Sequence, residues 1–120
     1  PEIDISDDDY GIWYMDALDH AKKYEGKILS FKGRAFPPRQ WGKPIVAVGR
    51  YAMVCCEQDK AFMGVGVIDN NGKNIIKGEW VQVTGRVRID YDAQSNSDYI
   101  SIVDSRITPC EPMQDPYVTF

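Results

Sequence analysis

One short phrase occurs twice in the chain, as GKILSFKGR at residues 26–34 and as GEWVQVTGR at residues 78–86. In both copies apolar residues alternate with polar ones, which is the period of a half-buried β-strand. Each copy closes on a glycine, Gly33 or Gly85, that is followed by an arginine. Glycine inside a strand is typical of a bend or a bulge, and the strands of a small barrel must bend sharply. The two glycines are therefore predicted to have structural roles in a small β-barrel.

Five strands are predicted, at residues 27–36, 45–56, 61–68, 80–91 and 99–108. The second of them is mostly apolar on both faces, which is typical of a strand with little solvent exposure. An immunoglobulin-like sandwich needs about seven strands, so it is the weaker interpretation. Five strands with glycine bends in the first and fourth favour a mainly β fold, an OB-like five-stranded β-barrel.

A helix is predicted before the barrel. Trp13, Ala17, Ala21 and Tyr24 recur at helical spacing, and Gly26 follows as a stop. The whole chain of 120 residues is then one domain. Its parts are an acidic lead-in at residues 1–9, the added N-terminal helix at about residues 12–25, the barrel at about residues 27–108 and an extended, proline-containing tail at residues 109–120.

The charge and hydropathy of the chain argue against two classes of protein, nucleic-acid-binding proteins and membrane-spanning segments. The chain has 14 basic and 18 acidic residues, a net charge of −4, which argues against a nucleic-acid-binding protein because such proteins need a basic surface. No apolar run approaches the roughly 18 residues that span a bilayer. Because the chain begins at Pro1, we expect it to be a processed or truncated piece, with any membrane anchor upstream.

The segment RYAMVCCEQD, residues 50–59, contains two adjacent cysteines. If the strand ends or bulges there, Cys55 and Cys56 can face one ligand, and with the Asp59 carboxylate they would suit a soft cation such as zinc or copper(I). If the strand continues, the two side chains point to opposite faces and one is a buried structural cysteine. A strained vicinal disulfide is the third alternative. Cys110 is a further thiol that the fold could bring to this pair.

Enzyme chemistry has little support in the sequence, so no catalytic residue is predicted. There is no nucleophile elbow, phosphate-binding loop or zinc-protease motif. The single histidine, His20, could form a dyad with a cysteine of the pair, but nothing positions it, and it is interpreted as a surface residue of the predicted helix. Four aromatic residues could stack bases on an OB face, although such residues are more often packing residues: Trp41, Tyr51, Phe62 and Tyr91.

Several motifs, in order, resemble the soluble C-terminal domain of the YcgQ-like family of bacterial membrane proteins. That family's pattern joins an arginine, an aromatic residue, a short apolar stretch, Cys-Cys and Ala-Asp-Ala, and it is matched here by Arg50, Tyr51, Cys55, Cys56, Asp59 and Ala61. Gln58 replaces the first alanine of the pattern, and Lys60 interrupts its end. The two glycine phrases and the closing PYV of residues 116–118 also fit, so the resemblance extends roughly from Tyr10 to Val118.

The resemblance implies a context that the composition does not show. Members carry about two N-terminal membrane spans, and their genes typically neighbour a predicted permease. The resemblance therefore implies a membrane-tethered domain on the extracytoplasmic side, with a structural role for Arg50 at the start of its motif. The leading hypothesis is a non-enzymatic binding or accessory module for the permease. A soft-metal or metalloid-binding domain is the alternative, and a single-stranded nucleic-acid-binding OB module is disfavoured unless a basic groove adjoins exposed aromatic residues.

The charge balance makes a first prediction. At physiological salt the chain should show no appreciable affinity for single-stranded DNA or RNA, because a net charge of −4 opposes phosphate binding. Fluorescence anisotropy with mixed-sequence oligonucleotides measures this. Salt-sensitive binding in the micromolar range would contradict the prediction and favour the nucleic-acid-binding module.

Overall fold

Alternating apolar residues build a mainly β structure, and this class is the one that the sequence predicts. The computed structural model describes residues 2–36, 45–53, 60–69, 75–113 and 117–118. Its elements are the strand β1 (Glu2–Asp4), the helix α1 (Tyr10–Asp19), a 3₁₀ helix (Ala21–Tyr24) and the strands β2 (Ile28–Phe36), β3 (Ile45–Met53), β4 (Lys60–Ile68), β5 (Glu79–Asp92), β6 (Ser97–Pro109) and β7 (Tyr117–Val118).

The five long strands lie where the sequence predicts them, and the predicted end of the second strand at residues 54–56 lies outside the described residues. The two short strands β1 and β7 are additional, and they fall in the predicted lead-in and tail. A strand of two or three residues is too short to give a readable alternation, so the sequence carries no signal for them.

The predicted helix is divided into two parts. α1 ends at Asp19, and His20 leaves the helical conformation with φ of −135° before the 3₁₀ turn begins at Ala21. The turn buries Tyr24, whose hydroxyl donates a hydrogen bond to the Asp16 carboxylate. Neither helix in the described part of the chain has the length and hydropathy that a membrane crossing requires.

The strands of the described residues form one sheet in the order β1-β2-β5-β6-β4-β3-β7, and β2 also pairs with β3. The pairs β2–β5, β5–β6, β3–β4 and β2–β3 are antiparallel, whereas β1–β2, β4–β6 and β3–β7 are parallel. β2 therefore pairs with β5 along one edge and with both β1 and β3 along the other.

One face of this sheet supplies the core. Alternate residues of the long strands are buried, among them Leu29, Phe31, Val48, Val67, Val81, Val83, Val87 and Ile102. α1 packs against the same core, where the rings of Tyr10 and Trp13 lie 6.1 Å and 5.7 Å from the ring of Phe31. The helix thus extends the hydrophobic core beyond the strands, as its apolar spacing predicts.

Gly85 lies at an irregularity in the sheet. The β5–β6 register shifts between Thr84 and Arg86, so that two β6 residues, Asp104 and Ser105, lie opposite Gly85. One of them, Asp104, has a positive φ of 52°. A Cβ atom on Gly85 would stand 2.3 Å from Cγ2 of Ile102. The close approach of the two strands therefore requires the absence of a side chain at this position.

Replacing Gly85 with alanine should destabilise the fold by about 1–3 kcal/mol, the range found for overpacked cores. The fully buried side chain of Ile102 has to move to admit the new methyl group. Gly66→Ala is the matched control, because a Cβ there meets only Cγ2 of Ile45, at 3.5 Å. Urea denaturation of both variants measures the difference, and equal stabilities would contradict the tight β5–β6 packing.

Candidate functional site

The site is built where β2 and β3 diverge. The two strands pair from Arg34 to Phe36 on β2 and from Ala47 to Gly49 on β3. Beyond that point β2 pairs instead with β1, and β3 pairs with β7. Gly33 is the first β2 residue past the pairing, and a Cβ on it would stand 2.9 Å from the carbonyl oxygen of Gly49. The divergence leaves backbone groups of both strands that require other partners.

Arg50 supplies partners at the divergence. It is the first β3 residue past the pairing with β2, and its side chain is only 1% exposed. Its Nε donates a hydrogen bond of 2.9 Å to the carbonyl oxygen of Lys32 on β2. Its two terminal nitrogens reach Asp7, with a 2.7 Å ion pair to the carboxylate and a 3.3 Å bond to the backbone carbonyl. One buried guanidinium therefore connects β3, β2 and the N-terminal segment.

Tyr10 completes the surroundings of this guanidinium. Its ring lies 4.6 Å from the guanidinium carbon of Arg50, within the range of a cation–π interaction. Its hydroxyl donates a 2.6 Å hydrogen bond to the carbonyl oxygen of Met63 on β4. Burial raises the pKa of Tyr10 far above its ordinary value, and the nearby Arg50 offsets only part of that effect. The phenol therefore stays protonated and remains a donor throughout the physiological pH range.

An aromatic cluster lies on the outward face of β2, β3 and β4. We call it the aromatic surface, and it consists of Phe36 on β2, Tyr51 on β3 and Phe62 on β4. The ring centroids are 5.3 Å apart for Phe36 and Phe62, 5.2 Å for Tyr51 and Phe62, and 6.2 Å for Phe36 and Tyr51. Phe62 is 36% exposed, and the other two are half-buried. The three rings form a continuous apolar area that is accessible from outside.

Two cations lie against this surface. The guanidinium of Arg34 is 5.7 Å from the ring of Phe36, and Nζ of Lys60 is 5.9 Å from the ring of Tyr51. The same Nζ lies 6.0 Å from the ring of Tyr117, which pairs with Tyr51 across β3 and β7. The aromatic surface is therefore bordered by positive charge, in a chain whose net charge is −4.

The predicted cysteine site lies outside the described residues. Cys55, Cys56 and Asp59 all belong to the segment of residues 54–59, between β3 and β4. The described strands fix both ends of that segment, because Met53 and Lys60 are register partners. Tyr51 of the aromatic surface precedes Cys55 by four residues. A soft-metal site at these cysteines stays a prediction.

The other predicted residues lie on different elements or outside the described residues. Cys110 follows β6 with a free, half-buried thiol, and burial raises its pKa above the ordinary value. His20 is exposed after the last residue of α1. Tyr91 bonds to Asn96 at the tip of the β5–β6 hairpin, and Trp41 lies outside the described residues. Within the described ranges, no group of three or more His, Cys, Asp or Glu side chains is arranged to hold a metal ion.

Several residues of the site are not identified by the sequence, and Asp7 and Phe36 show why. Asp7 falls in the predicted acidic lead-in, yet its carboxylate pairs with Arg50 across 43 residues of sequence. Phe36 was not singled out, although it falls on the polar side of the alternation in its strand. An aromatic residue at an outward position is the signal that would have found it, whereas no local signal indicates the partner of Arg50.

Together these features define a small, mainly β domain with a buried ionic junction and an external aromatic surface. The chain belongs to the family described as the DUF1980 C-terminal domain, whose model matches residues 1–119. That family is a domain of unknown function. No curated protein matches the sequence. Membership accounts for nearly the whole chain, and the function has to be argued from the geometry.

Arg50→Leu should destabilise the domain by about 2–4 kcal/mol, because the Lys32 carbonyl and the Asp7 carboxylate lose their shared partner. Arg86→Leu is the control, since Arg86 also pairs with an aspartate, Asp104, at 2.6 Å, but at an exposed position. That variant should lose less than about 1 kcal/mol. Chemical denaturation measures both, and a larger loss for Arg86→Leu would contradict the role of Arg50.

Proposed function

We propose that this domain is a non-enzymatic binding module, tethered to a membrane through a preceding region and serving a neighbouring permease on the extracytoplasmic side. The observation that carries the proposal is the aromatic surface of Phe36, Tyr51 and Phe62. Aromatic residues clustered in contact with one another provide large, rigid contact areas of the kind that dominate binding energies at protein interfaces. The membrane and permease context rests on the resemblance of the Cys-Cys motif to the YcgQ-like family.

The strand order supports an OB-like architecture for this module. Without the two short strands, the sheet runs β2-β5-β6-β4-β3, and β3 pairs again with β2. A sheet whose first and last strands pair with one another has the connectivity of a five-stranded barrel. In OB folds the outer face of the second and third strands binds ligands. These are the positions of β3 and β4, which carry Tyr51 and Phe62.

The surroundings of the aromatic surface indicate the chemistry of its partner. The rings offer apolar contact, while Arg34 and Lys60 add positive charge at the border. A complementary surface would present aliphatic or aromatic side chains together with a carboxylate. An extracytoplasmic loop of a permease can supply both. Because the rings sit on paired strands, binding would require little ordering of the module itself.

A soft-metal or metalloid site at Cys55, Cys56 and Asp59 is the second candidate function. It is favoured by the pairing of Met53 with Lys60, which holds both ends of the intervening segment at neighbouring positions. Because both ends of the segment are held, ion binding would cost less conformational entropy. Two thiolates and one carboxylate suit zinc, copper(I) or a trivalent metalloid.

A nucleic-acid-binding module remains the third candidate. Proteins that bind single-stranded nucleic acid stack the bases on aromatic side chains beside positive charges. The aromatic surface with Arg34 and Lys60 provides part of that arrangement. The net charge of −4 opposes it. The extracytoplasmic location that we propose opposes it as well.

Site-specific photo-crosslinking tests the permease proposal. A benzoylphenylalanine at position 62 of the full-length membrane protein should crosslink to the permease in intact cells, as identified by mass spectrometry. The same photoreactive residue at position 106 is the control, because Arg106 is exposed on β6 away from the aromatic surface. Tyr51→Ala in the position-62 background should reduce the adduct, since the ring of Tyr51 packs against that of Phe62.

The control position decides the interpretation. Permease adducts from both positions in equal yield would indicate random proximity in the membrane and would contradict the proposed surface. Complete absence of a permease adduct from position 62 would contradict the proposed partner.

A further inference from the structure

A polar cleft of about 480 Å³ lies against the outer face of the sheet at β1, β2 and β5. Its lining includes Glu2 and Asp4 of β1, Ser30 and Lys32 of β2, and Gln82 of β5. We call it the β1 cleft. It shares no residue with the aromatic surface, so it is a separate candidate site.

The register of β1 with β2 sets the charged groups of the cleft in a line. Glu2 is the partner of Ile28, and Asp4 is the partner of Ser30. Lys32 follows two residues after Ser30, on the same side of β2. Two residues of strand span about 6.6 Å. One carboxylate therefore stands level with the serine, while the second carboxylate and the ammonium lie one such step away in opposite directions.

These three charges have no ionic partner within the described ranges. The ion pairs found there do not include Glu2, Asp4 or Lys32. The other carboxylate in the wall of the cleft, that of Asp7, is already paired with Arg50. The β1 cleft therefore offers two carboxylates and one ammonium to a ligand, an excess of negative charge.

The floor of the cleft holds a hydrogen-bond donor that the fold does not use. Ser30 is only 7% exposed, and its Oγ accepts a 2.7 Å hydrogen bond from Nε2 of Gln82 and a 3.2 Å bond from Oγ1 of Thr84. A serine hydroxyl accepts two bonds and donates one. Among the described residues this hydroxyl makes both accepted bonds and no donated one. An acceptor on a bound molecule would satisfy it, and a buried donor left unpaired costs free energy.

These groups together select the chemistry of a ligand. The hydroxyl of Ser30 and the ammonium of Lys32 both donate, so one carboxylate can bind to the two of them. A phosphate is a poor fit, because Glu2 and Asp4 would repel its charge. The two carboxylates instead require cationic groups on the same ligand. We propose that the β1 cleft binds a free basic amino acid, such as lysine or arginine.

The order of charges in such a ligand matches the order in the cleft. With the ligand carboxylate on Ser30 and Lys32, the neighbouring α-ammonium faces Asp4. In lysine a flexible four-carbon stem separates the α-carbon from the side-chain nitrogen. That stem, when extended, spans about as far as the two-residue step from Asp4 to Glu2. The side-chain cation therefore reaches the carboxylate of Glu2.

A titration followed by ¹⁵N–¹H NMR tests this site, with L-lysine added to the 120-residue chain at constant pH and ionic strength. The amides of Ser30, Lys32 and Gln82 should shift saturably, with a dissociation constant in the roughly millimolar range. Two analogues each lack one group. L-Norleucine has no side-chain ammonium and 1,5-diaminopentane has no carboxylate, so each should bind about two- to fivefold more weakly, the range for one exposed charge pair.

Variants then assign each group of the ligand to its partner. Glu2→Gln should weaken L-lysine about two- to fivefold and leave L-norleucine unchanged. Lys32→Met should weaken L-lysine by a similar factor and should not weaken 1,5-diaminopentane. Glu25→Gln is the matched control, because Glu25 is an exposed glutamate outside the cleft and its loss changes the net charge equally. That variant should bind all three compounds as the unmodified protein does.

Three results would overturn the proposal. The first is the absence of saturable shifts at the cleft up to roughly tens of millimolar L-lysine. The second is equal affinity for L-lysine and both analogues, or an equal loss in Glu2→Gln and Glu25→Gln, either of which would indicate nonspecific attraction to an acidic protein. The third is binding of maltose at the same amides more tightly than L-lysine, which would assign the cleft to a neutral sugar. None of these outcomes depends on the permease.

Discussion

The buried guanidinium of Arg50 is the interaction on which the rest of the structure depends. A charge removed from water destabilises a fold unless it is paired and its hydrogen bonds are satisfied. Arg50 meets this condition with Asp7, the carbonyl oxygen of Lys32 and the ring of Tyr10. These partners come from β2, from the segment before α1 and from the helix itself. The ionic junction therefore fixes where the helix packs and where β2 and β3 stop pairing.

The same junction connects the interior with the outer face. Successive residues of a strand point to opposite sides, so the inward position of Arg50 directs Tyr51 outward. Tyr51 is the register partner of Phe62, and the two rings lie 5.2 Å apart. The aromatic surface therefore lies on the outward side of the strand whose inward side carries the buried arginine.

The sequence predicts much of this fold because the long strands alternate clearly. Leu29 and Phe31 are buried as expected, and Gly85 stands at a register shift. Contacts between distant segments could not be predicted, because nothing near Arg50 in sequence indicates Asp7. The helix was predicted as one element because Ala21 and Tyr24 continue its apolar spacing, whereas the chain changes direction at His20. For the candidate site, Tyr51 and Phe62 were recognised singly, but their contact follows from the β3–β4 register.

The parallel pairing of β1 with β2 has a mechanical consequence. Its backbone hydrogen bonds lie across the direction of the chain, so tension applied on the N-terminal side of Glu2 loads them together instead of one after another. The salt bridge between Asp7 and Arg50 stands next in line, ahead of α1. A pulling force would therefore act first on the β1–β2 hydrogen bonds and then on the Asp7–Arg50 ion pair, before it reached the helix. The N-terminal segment is therefore held at two points, one made of backbone hydrogen bonds and one ionic, before the chain enters the helix.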